Sequence, residues 1–140
     1  IIDYISNYKF QKISIVIGRS DLSASYNNND VNSHEIYELC KLILNKANNK
    51  KIKVTLGGKL DILSFKSIYK LSKIGLYAFE SRKCTFSINK GFSKQTFEKT
   101  INDCLLFELE WLLYKKNYYV NLSEFDEKRI SSIKKRLSQG

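Results

Sequence analysis

A single carboxylate lies just beyond an apolar, β-branched run near the start of the chain. Residues 15–17 (IVI) predict a buried strand, Gly18 breaks it, and Asp21 follows. A carboxylate at a strand end suits Mg²⁺, which binds one or two carboxylates and keeps its other positions for water and substrate. Gly18 permits a sharp turn and close approach of a ligand, and the amides of Ser20 and Asp21 can then bind an anion. The segment predicts a site for a metal ion and an anionic substrate.

The same residues also allow structural interpretations. Asp21 can cap a turn or the helical segment that follows it, and spacing alone favours that role because Asp is common in such loops. Arg19 can clamp a carboxylate or a phosphate with its planar guanidinium. It can equally be structural, paired with Glu80 or Asp30. Both roles stay open for each residue on this evidence.

The elements that must position these residues follow from hydrophobic periodicity. Strands are predicted over 13–17, 51–56 and 76–80, with a short extended piece over 84–88, and helices over 33–48, 61–73, 93–115 and 123–137. Alternation of this kind predicts an α/β domain with a parallel sheet. The strands are nearly continuous apolar runs, so we expect both faces of the sheet to be covered.

Ligands of parallel α/β folds bind at the carboxyl ends of the strands. This rule selects the loops over 18–29, 57–60 and 81–83. Gly57 and Gly58 end the second strand, and they can admit a phosphate or carboxylate against bare backbone or simply terminate the strand. Glu80 and Arg82 flank the end of the third strand. They can touch substrate or order Asp21, but we favour a charge pair that closes the rim.

Other reactive residue types narrow the chemistry. His34 is the only histidine and is expected to be exposed, which excludes a His-dependent triad or a His-rich metal site within this chain. The three cysteines are widely spaced and form no CxxC pair. We expect reduced thiols, with Cys40 and Cys104 packed as small apolar groups, and no zinc site. Trp111 is expected in the core or in a seam between helices.

Composition limits the class of protein. The chain has 140 residues, 43% of them apolar, which predicts one globular domain over 1–140. No apolar run approaches the length of a membrane helix, and the N-terminus does not look like a secretory signal, so we expect a cytoplasmic protein that does not bind membranes. The net charge is +10, but the lysines are scattered. We therefore do not expect nucleic acid as a partner, although exposed aromatics among lysines on one face would favour it.

The segment IGRSDLSASY, residues 17–26, closely resembles a strand-end motif of the HpcH/HpaI aldolase and citrate lyase family. The family pattern typically runs F-I-G-P-x-D-L-S-A-S-hydrophobic-G, and Gly18 and residues 21–25 match it. Later segments resemble the same family: VNSHEIYELC, the strand ending in Gly57 and Gly58, FESRK at 79–83, and FELEWL at 107–112. The resemblance covers essentially the whole chain and is strongest over 15–26.

The resemblance implies a (β/α)₈ TIM barrel that binds a divalent metal, Mg²⁺ or Mn²⁺, with one Glu and one Asp. Asp21 is then the metal ligand, and Gly18, Arg19, Ser20 and Asp21 bind the substrate. The implied enzyme is a carbon–carbon lyase that acts on a pyruvate-like 2-keto acid, or with an acyl thioester, through a metal-stabilised enolate. Its substrate is a small molecule.

Two positions depart from the family pattern, and the chain is short for the fold. Arg19 stands where the pattern has Pro, and Asn27 where it has Gly. A full barrel takes about 250 residues, so we expect the C-terminal part of one: three parallel strands with their helices, then two closing helices. The metal-binding Glu and the catalytic residues are expected upstream of Ile1. Unpaired strand edges predict a homo-oligomer.

Two other functions stay open. A barrel-derived binding or assembly protein without catalysis would keep the strands and lose the metal site. A basic α/β domain that binds nucleic acid would show retention that is sensitive to salt.

Overall fold

Four strands form one mixed sheet in the computed structural model, which describes residues 2–3, 13–82, 84–118 and 124–138. Their order in the sheet is β1 (Ser14–Gly18), β2 (Lys53–Gly57), β3 (Ala78–Ser81) and β4 (Cys84–Ser87). The first three strands are parallel, and β4 is antiparallel to β3. The predicted α/β class is therefore confirmed, and the three predicted strands are parallel, but β4 makes the sheet mixed rather than wholly parallel.

Five helices accompany the sheet within the described residues. They are α1 (Arg19–Ser25), α2 (His34–Asn49), α3 (Phe65–Ser72), α4 (Lys94–Tyr118) and α5 (Glu124–Leu137), and a 3₁₀ turn over Ile62–Ser64 leads into α3. The predicted helices over 33–48, 61–73, 93–115 and 123–137 agree with four of them to within a few residues. Among these described helices, none is both long enough and apolar enough to cross a bilayer.

Helix α1 lies in the segment that was predicted to be a loop. Gly18 is its N-cap, in an extended conformation (φ −83, ψ 96), and the helix begins at Arg19. Asp21 lies in its first turn, where a carboxylate complements the positive end of the helix. Arg19 and Ser23, one turn apart, are its two buried residues. The loop prediction was wrong over these residues: the helical segment expected after Asp21 begins earlier, at Arg19.

The main core lies between β2 and helices α2 and α3. Val54 and Leu56 of β2 are completely buried, as are Ile36 and Leu44 of α2. The backbone N–H of Ile36 donates to Oγ of Ser33 at 3.4 Å, so Ser33, rather than the alternative Asn32, is the N-cap of α2. Burial of this apolar helix face against the central strand holds the carboxyl end of β2 in place.

The sheet is not covered on both faces at β1. Val16 is 60% exposed, whereas Ile17 is only 6% exposed. Side chains alternate across a strand, and β1 is the end strand of the described sheet. One face of β1 therefore packs against the core and the other remains open, contrary to the prediction for this strand.

Helices α4 and α5 pack on each other beside the sheet. The Phe97 ring of α4 lies 5.2 Å from the Phe79 ring and 5.7 Å from the Phe65 ring, measured between centroids. Trp111 was predicted to lie in the core or in a helix seam, and helical spacing over 123–137 predicted an inward Phe125; both predictions were wrong. Trp111 is 54% exposed and Phe125 is 70% exposed, so neither belongs to the core.

Candidate active site

An open cleft of about 750 Å³ lies where the carboxyl ends of the parallel strands meet α4 and α5. Gly18, Gly57 and Ser81 line it from the ends of β1, β2 and β3. Glu108 lines it from α4, and Arg129 lines it from α5. The cleft occupies the edge of the sheet that the strand order selects for ligands.

Two acidic side chains open into this cleft beside a pair of glycines. Gly18 and Gly57 are register partners on β1 and β2. A Cβ atom added to Gly18 would lie 2.8 Å from Oδ2 of Asp21, and one added to Gly57 would lie 3.8 Å from Cβ of Glu80. Both acidic residues line the cleft. Because neither glycine has a side chain, the backbone between the two carboxylates is accessible from the cleft.

The carboxylates of Asp21 and Glu80 are not engaged by hydrogen bonds or ion pairs from the part of the chain that the structure describes. Nor do the described residues bring three or more His, Cys, Asp or Glu side chains together as a ready metal cage. Two carboxylates with open coordination positions nevertheless match what Mg²⁺ or Mn²⁺ requires, because such ions keep several waters and bind substrate directly. Each carboxylate is therefore an open oxygen donor of the kind that a catalytic cation uses, and neither belongs to a closed structural cage among the described residues.

Gly58 fixes the start of α1 by close contact. Its φ is +88°, and an added Cβ would lie 2.6 Å from the backbone N of Ser20 and 2.7 Å from that of Arg19. Both atoms belong to backbone, so a side chain at this position would force the two segments apart. Gly58 is therefore required by conformation and by space.

Gly58→Ala is expected to lower the free energy of unfolding by about 2 kcal/mol, because the new Cβ meets backbone in a left-handed conformation. Urea denaturation measures this change. Gly91→Ala is the matched control, since the nearest atom to its added Cβ is the side-chain Oδ1 of Asn89 at 3.4 Å. An equal loss of stability in both variants would contradict the role given to Gly58.

Arg19 is buried beneath the cleft and does not line it. Its residue is only 2% exposed. Nη1 donates to the carbonyl of Val31 at 3.3 Å and to Oδ1 of Asn32 at 2.9 Å. Nη2 donates to the carbonyl of Gly58 and to Oγ of Ser64, each at 3.0 Å. One guanidinium thus joins α1 to the loops after β2 and before α2.

This geometry favours the structural alternative for Arg19 over a contact with substrate, and it corrects the expected partners. Glu80 and Asp30 do not form ion pairs with Arg19; the acceptors are loop carbonyls, an amide and a hydroxyl. Burial lowers the pKa of Arg19, and the carboxylates of Asp61 and Asp30 partly offset this effect. The side chain of Arg19 positions α1, and so positions Asp21.

The predicted charge pair between Glu80 and Arg82 is also corrected. Arg82 forms an ion pair with Glu108 of α4. Glu108 also accepts a hydrogen bond from Nε of Arg129 at 2.8 Å. Because Glu108 takes the place of Glu80 as the partner of Arg82, Glu80 stays available to the cleft.

Helices α4 and α5 bring residues to the cleft that sequence reasoning did not place there. They supply Glu108 and Arg129, together with the exposed rings of Phe107 and Trp111. The segment FELEWL, which holds three of these residues, combines two aromatic and two acidic side chains within one stretch of helix, and this composition was the local signal. Arg129 carries no such signal, because its position depends on how α5 packs against α4.

Cys84 is the one exposed thiol, and the other two cysteines are buried. Burial raises the pKa of Cys40 to about 11. Burial, followed by the neighbouring Cys84 and Asp103, raises the pKa of Cys104 to about 11. These findings confirm the predicted packing of Cys40 and Cys104 as small apolar groups.

At pH 8, one thiol of the three is expected to react rapidly with a disulfide reagent such as DTNB, because the thiolate is the nucleophile and a raised pKa depletes it. The other two should react only after unfolding in guanidinium. Cys84→Ser should remove the rapid phase and leave the slow one. Two rapid thiols in the native wild-type protein would contradict the assigned burial.

No family model, curated protein or solved structure matches the chain.

Proposed function

We propose that this chain carries the metal-binding cleft of a divalent-metal-dependent carbon–carbon lyase that acts on a 2-keto acid or a related carboxylate. The observation that carries the proposal is the pair of unengaged carboxylates, Asp21 and Glu80, in one cleft at the carboxyl ends of parallel strands. The motif IGRSDLSASY supports it, because its resemblance to the aldolase and citrate lyase family assigns the metal to Asp21.

Different residues of the cleft would bind the metal and the substrate. Asp21 would hold Mg²⁺ or Mn²⁺, and Glu80, the other unengaged carboxylate of the cleft, lies two strands away at the end of β3. When bound, the metal supplies a Lewis acid that polarises the 2-keto oxygen of the substrate. Gly18 and Gly57 leave room for the substrate against bare backbone. The exposed Lys59 lines the same cleft and attracts an anionic substrate.

The proposal also includes the fold, which we infer to be part of a larger barrel. Three parallel strands with helical segments between them have the strand–helix order of part of a (β/α)₈ barrel, and the antiparallel β4 lies at the edge of β3 where closure of a barrel would place a parallel strand. In that architecture the carboxyl ends of the strands carry the catalytic residues. The cleft of the described chain lies at those ends.

The test is a metal-dependent turnover assay of the purified protein. A panel of 2-keto acids and acyl thioesters is incubated with Mg²⁺ or Mn²⁺, and release of pyruvate or oxaloacetate is followed. We expect release that stops with EDTA and returns when metal is added back. Titration with Mn²⁺ alone, followed by calorimetry, should show binding at one site. Absence of both Mn²⁺ binding and turnover would overturn the proposal.

A second candidate function is assembly without catalysis, and the exposed apolar side chains of α4 favour it. Leu106 and Leu113 are exposed on this helix, as are Phe107 and Trp111 beside the cleft. A concentration of large exposed apolar side chains on one helix commonly marks an interface. Sedimentation would show a self-associated species, and Trp111→Lys would dissociate it. This function replaces the first one if the protein associates and shows no metal-dependent turnover.

A further inference from the structure

Three arginines gather around one carboxylate at the end of the cleft that α4 and α5 form. Nε of Arg129 donates to Oε1 of Glu108 at 2.8 Å, and Arg82 pairs with Oε2 of the same residue. Arg136 donates through Nη1 to the carbonyl of Leu60 at 3.5 Å, and its charge, like that of Arg129, acts on Arg82. Two guanidinium groups thus share the single carboxylate of Glu108, and the guanidinium group of Arg136 lies nearby.

Asp61 is another acidic residue near this cluster, but its carboxylate is hydrogen-bonded to Ser64. Asp61 acts on Arg136 electrostatically. However, Oδ1 of Asp61 accepts hydrogen bonds from the backbone N of Ser64 at 3.1 Å and from its Oγ at 2.9 Å. The cluster therefore keeps an excess of positive charge beside the cleft.

Of the three arginines, Arg82 is the one with a buried donor that has no hydrogen-bond acceptor among the described residues. Its side chain is 11% exposed, and that of Glu108 is 13% exposed. Nη2 of Arg82 is buried and has no hydrogen-bond partner among the described residues. Burial, together with the charges of Arg136 and Arg129, lowers the pKa of Arg82 to about 10, although Glu108 opposes the shift. A buried donor without an acceptor requires an explanation, and a bound anion would supply the missing acceptor.

The two charged ends of the cleft lie on different strands. Asp21 follows β1, whereas Arg82 follows β3, two strands away in the sheet. Neighbouring strands lie about 5 Å apart, so the ends of β1 and β3 are separated by about 10 Å, and Glu80 lies on the Arg82 side, at the end of β3. Val16, Phe107 and Trp111 are exposed apolar side chains that line the cleft between strands and helices. This arrangement suits an elongated ligand with an apolar middle and a negative group at its far end.

We propose that Arg82 and Arg129, supported by Arg136, bind a second anionic group of the substrate, a carboxylate or a phosphate, at the opposite end of the cleft from Asp21. The identity of the ligand as substrate depends on the proposed function, whereas the anion site itself does not. Guanidinium groups suit this role because they bind both kinds of oxyanion through paired hydrogen bonds. The substrate is then larger than pyruvate and carries at least two negative groups.

The test measures anion binding without metal. Inorganic phosphate and succinate are titrated separately into the purified protein, and the dissociation constants are measured by calorimetry. Arg129→Gln is expected to weaken binding about tenfold or more, because a charge-assisted hydrogen bond is lost. Glu108→Gln is expected to strengthen binding, because it removes the carboxylate that competes for the guanidinium groups. Stronger binding of phosphate or of succinate identifies the anionic group.

The matched control is Lys128→Gln, one residue away on the same helix. Lys128 is 73% exposed at its side chain and pairs with Glu124, outside the cleft. Its loss removes the same charge and should leave the affinity for either anion unchanged. Absence of binding of both anions to the wild-type protein, equal weakening in the Arg129 and Lys128 variants, or weaker binding by a folded Glu108→Gln variant would overturn the inference.

Failure of this inference is distinguishable from failure of the proposed function. Asp21→Asn should leave metal-free anion binding intact, because Asp21 lies at the other end of the cleft. Metal-dependent turnover without arginine-dependent anion binding would overturn only the anion site. Arginine-dependent anion binding without turnover would overturn the lyase and support the anion site.

Discussion

Asp21→Asn is expected to abolish metal-dependent turnover and to weaken Mn²⁺ binding by about a hundredfold or more, because a charged ligand becomes a neutral amide. The fold should persist. Asp21 is exposed, and its carboxylate makes no hydrogen bond or ion pair within the described residues. Surface substitutions of this kind change stability by about 0.5 kcal/mol or less. Turnover, calorimetric titration with Mn²⁺ and urea denaturation measure the three quantities on one preparation.

Asp103→Asn is the matched control for this substitution. Asp103 is also exposed, but it lies on α4 away from the cleft lining. The Asp103→Asn variant should bind Mn²⁺ and turn over substrate as the wild-type protein does. Turnover that is retained in Asp21→Asn would remove the metal site from this end of the cleft, and the lyase proposal with it.

Arg19→Met is expected to lower the free energy of unfolding by about 3 kcal/mol, because it deletes a buried, hydrogen-bonded charge and leaves its acceptors without a donor. The acceptors lie on two loops, at Asn32 and at Gly58 and Ser64. Arg19→Lys should be destabilised as well, since a lysine ammonium cannot reproduce the planar fork. Urea denaturation measures both changes through the shift in midpoint at constant slope.

Lys46→Met on α2 gives the comparison for losing an exposed cation. Lys46 is exposed in the last turn of that helix. Its substitution should change stability by no more than about 0.5 kcal/mol. If Arg19→Met proved as stable as Lys46→Met, the Arg19 side chain would not hold the loops together. Direct contact of Arg19 with substrate would then be the better interpretation.

Local patterns predicted the elements whose signal lies within one turn or one strand. Apolar residues at helical spacing placed α2, and Ser33 marked its start. The same logic misplaced Trp111, because α4 carries large apolar residues on more than one side and periodicity cannot choose which side is buried. Phe125 was misplaced for a similar reason near the start of α5.

The residues of the candidate site also fall into two groups, those that local sequence patterns predicted and those that depend on tertiary packing. Gly18, Asp21, Gly57 and Glu80 were predicted because strand ends can be identified from sequence, and these residues do line one cleft. The environment of Arg19 was not predictable, because its acceptors lie 12 to 45 residues away along the chain. Glu108 and Arg129 reach the cleft only through the packing of α4 and α5, for which the sequence carries no local code.

The antiparallel strand β4 limits how the parallel part of the sheet can be extended. It occupies the edge of β3 that a further parallel strand would need, so among the described strands the parallel run can be continued only at the outer edge of β1. A strand donated by another molecule, or by another part of the same protein, would dock there, next to the strand that carries Val16. Its carboxyl end would lie on the Asp21 side of the cleft and leave the arginine end untouched. Extension of the sheet and closure of the proposed cation site would then be a single event.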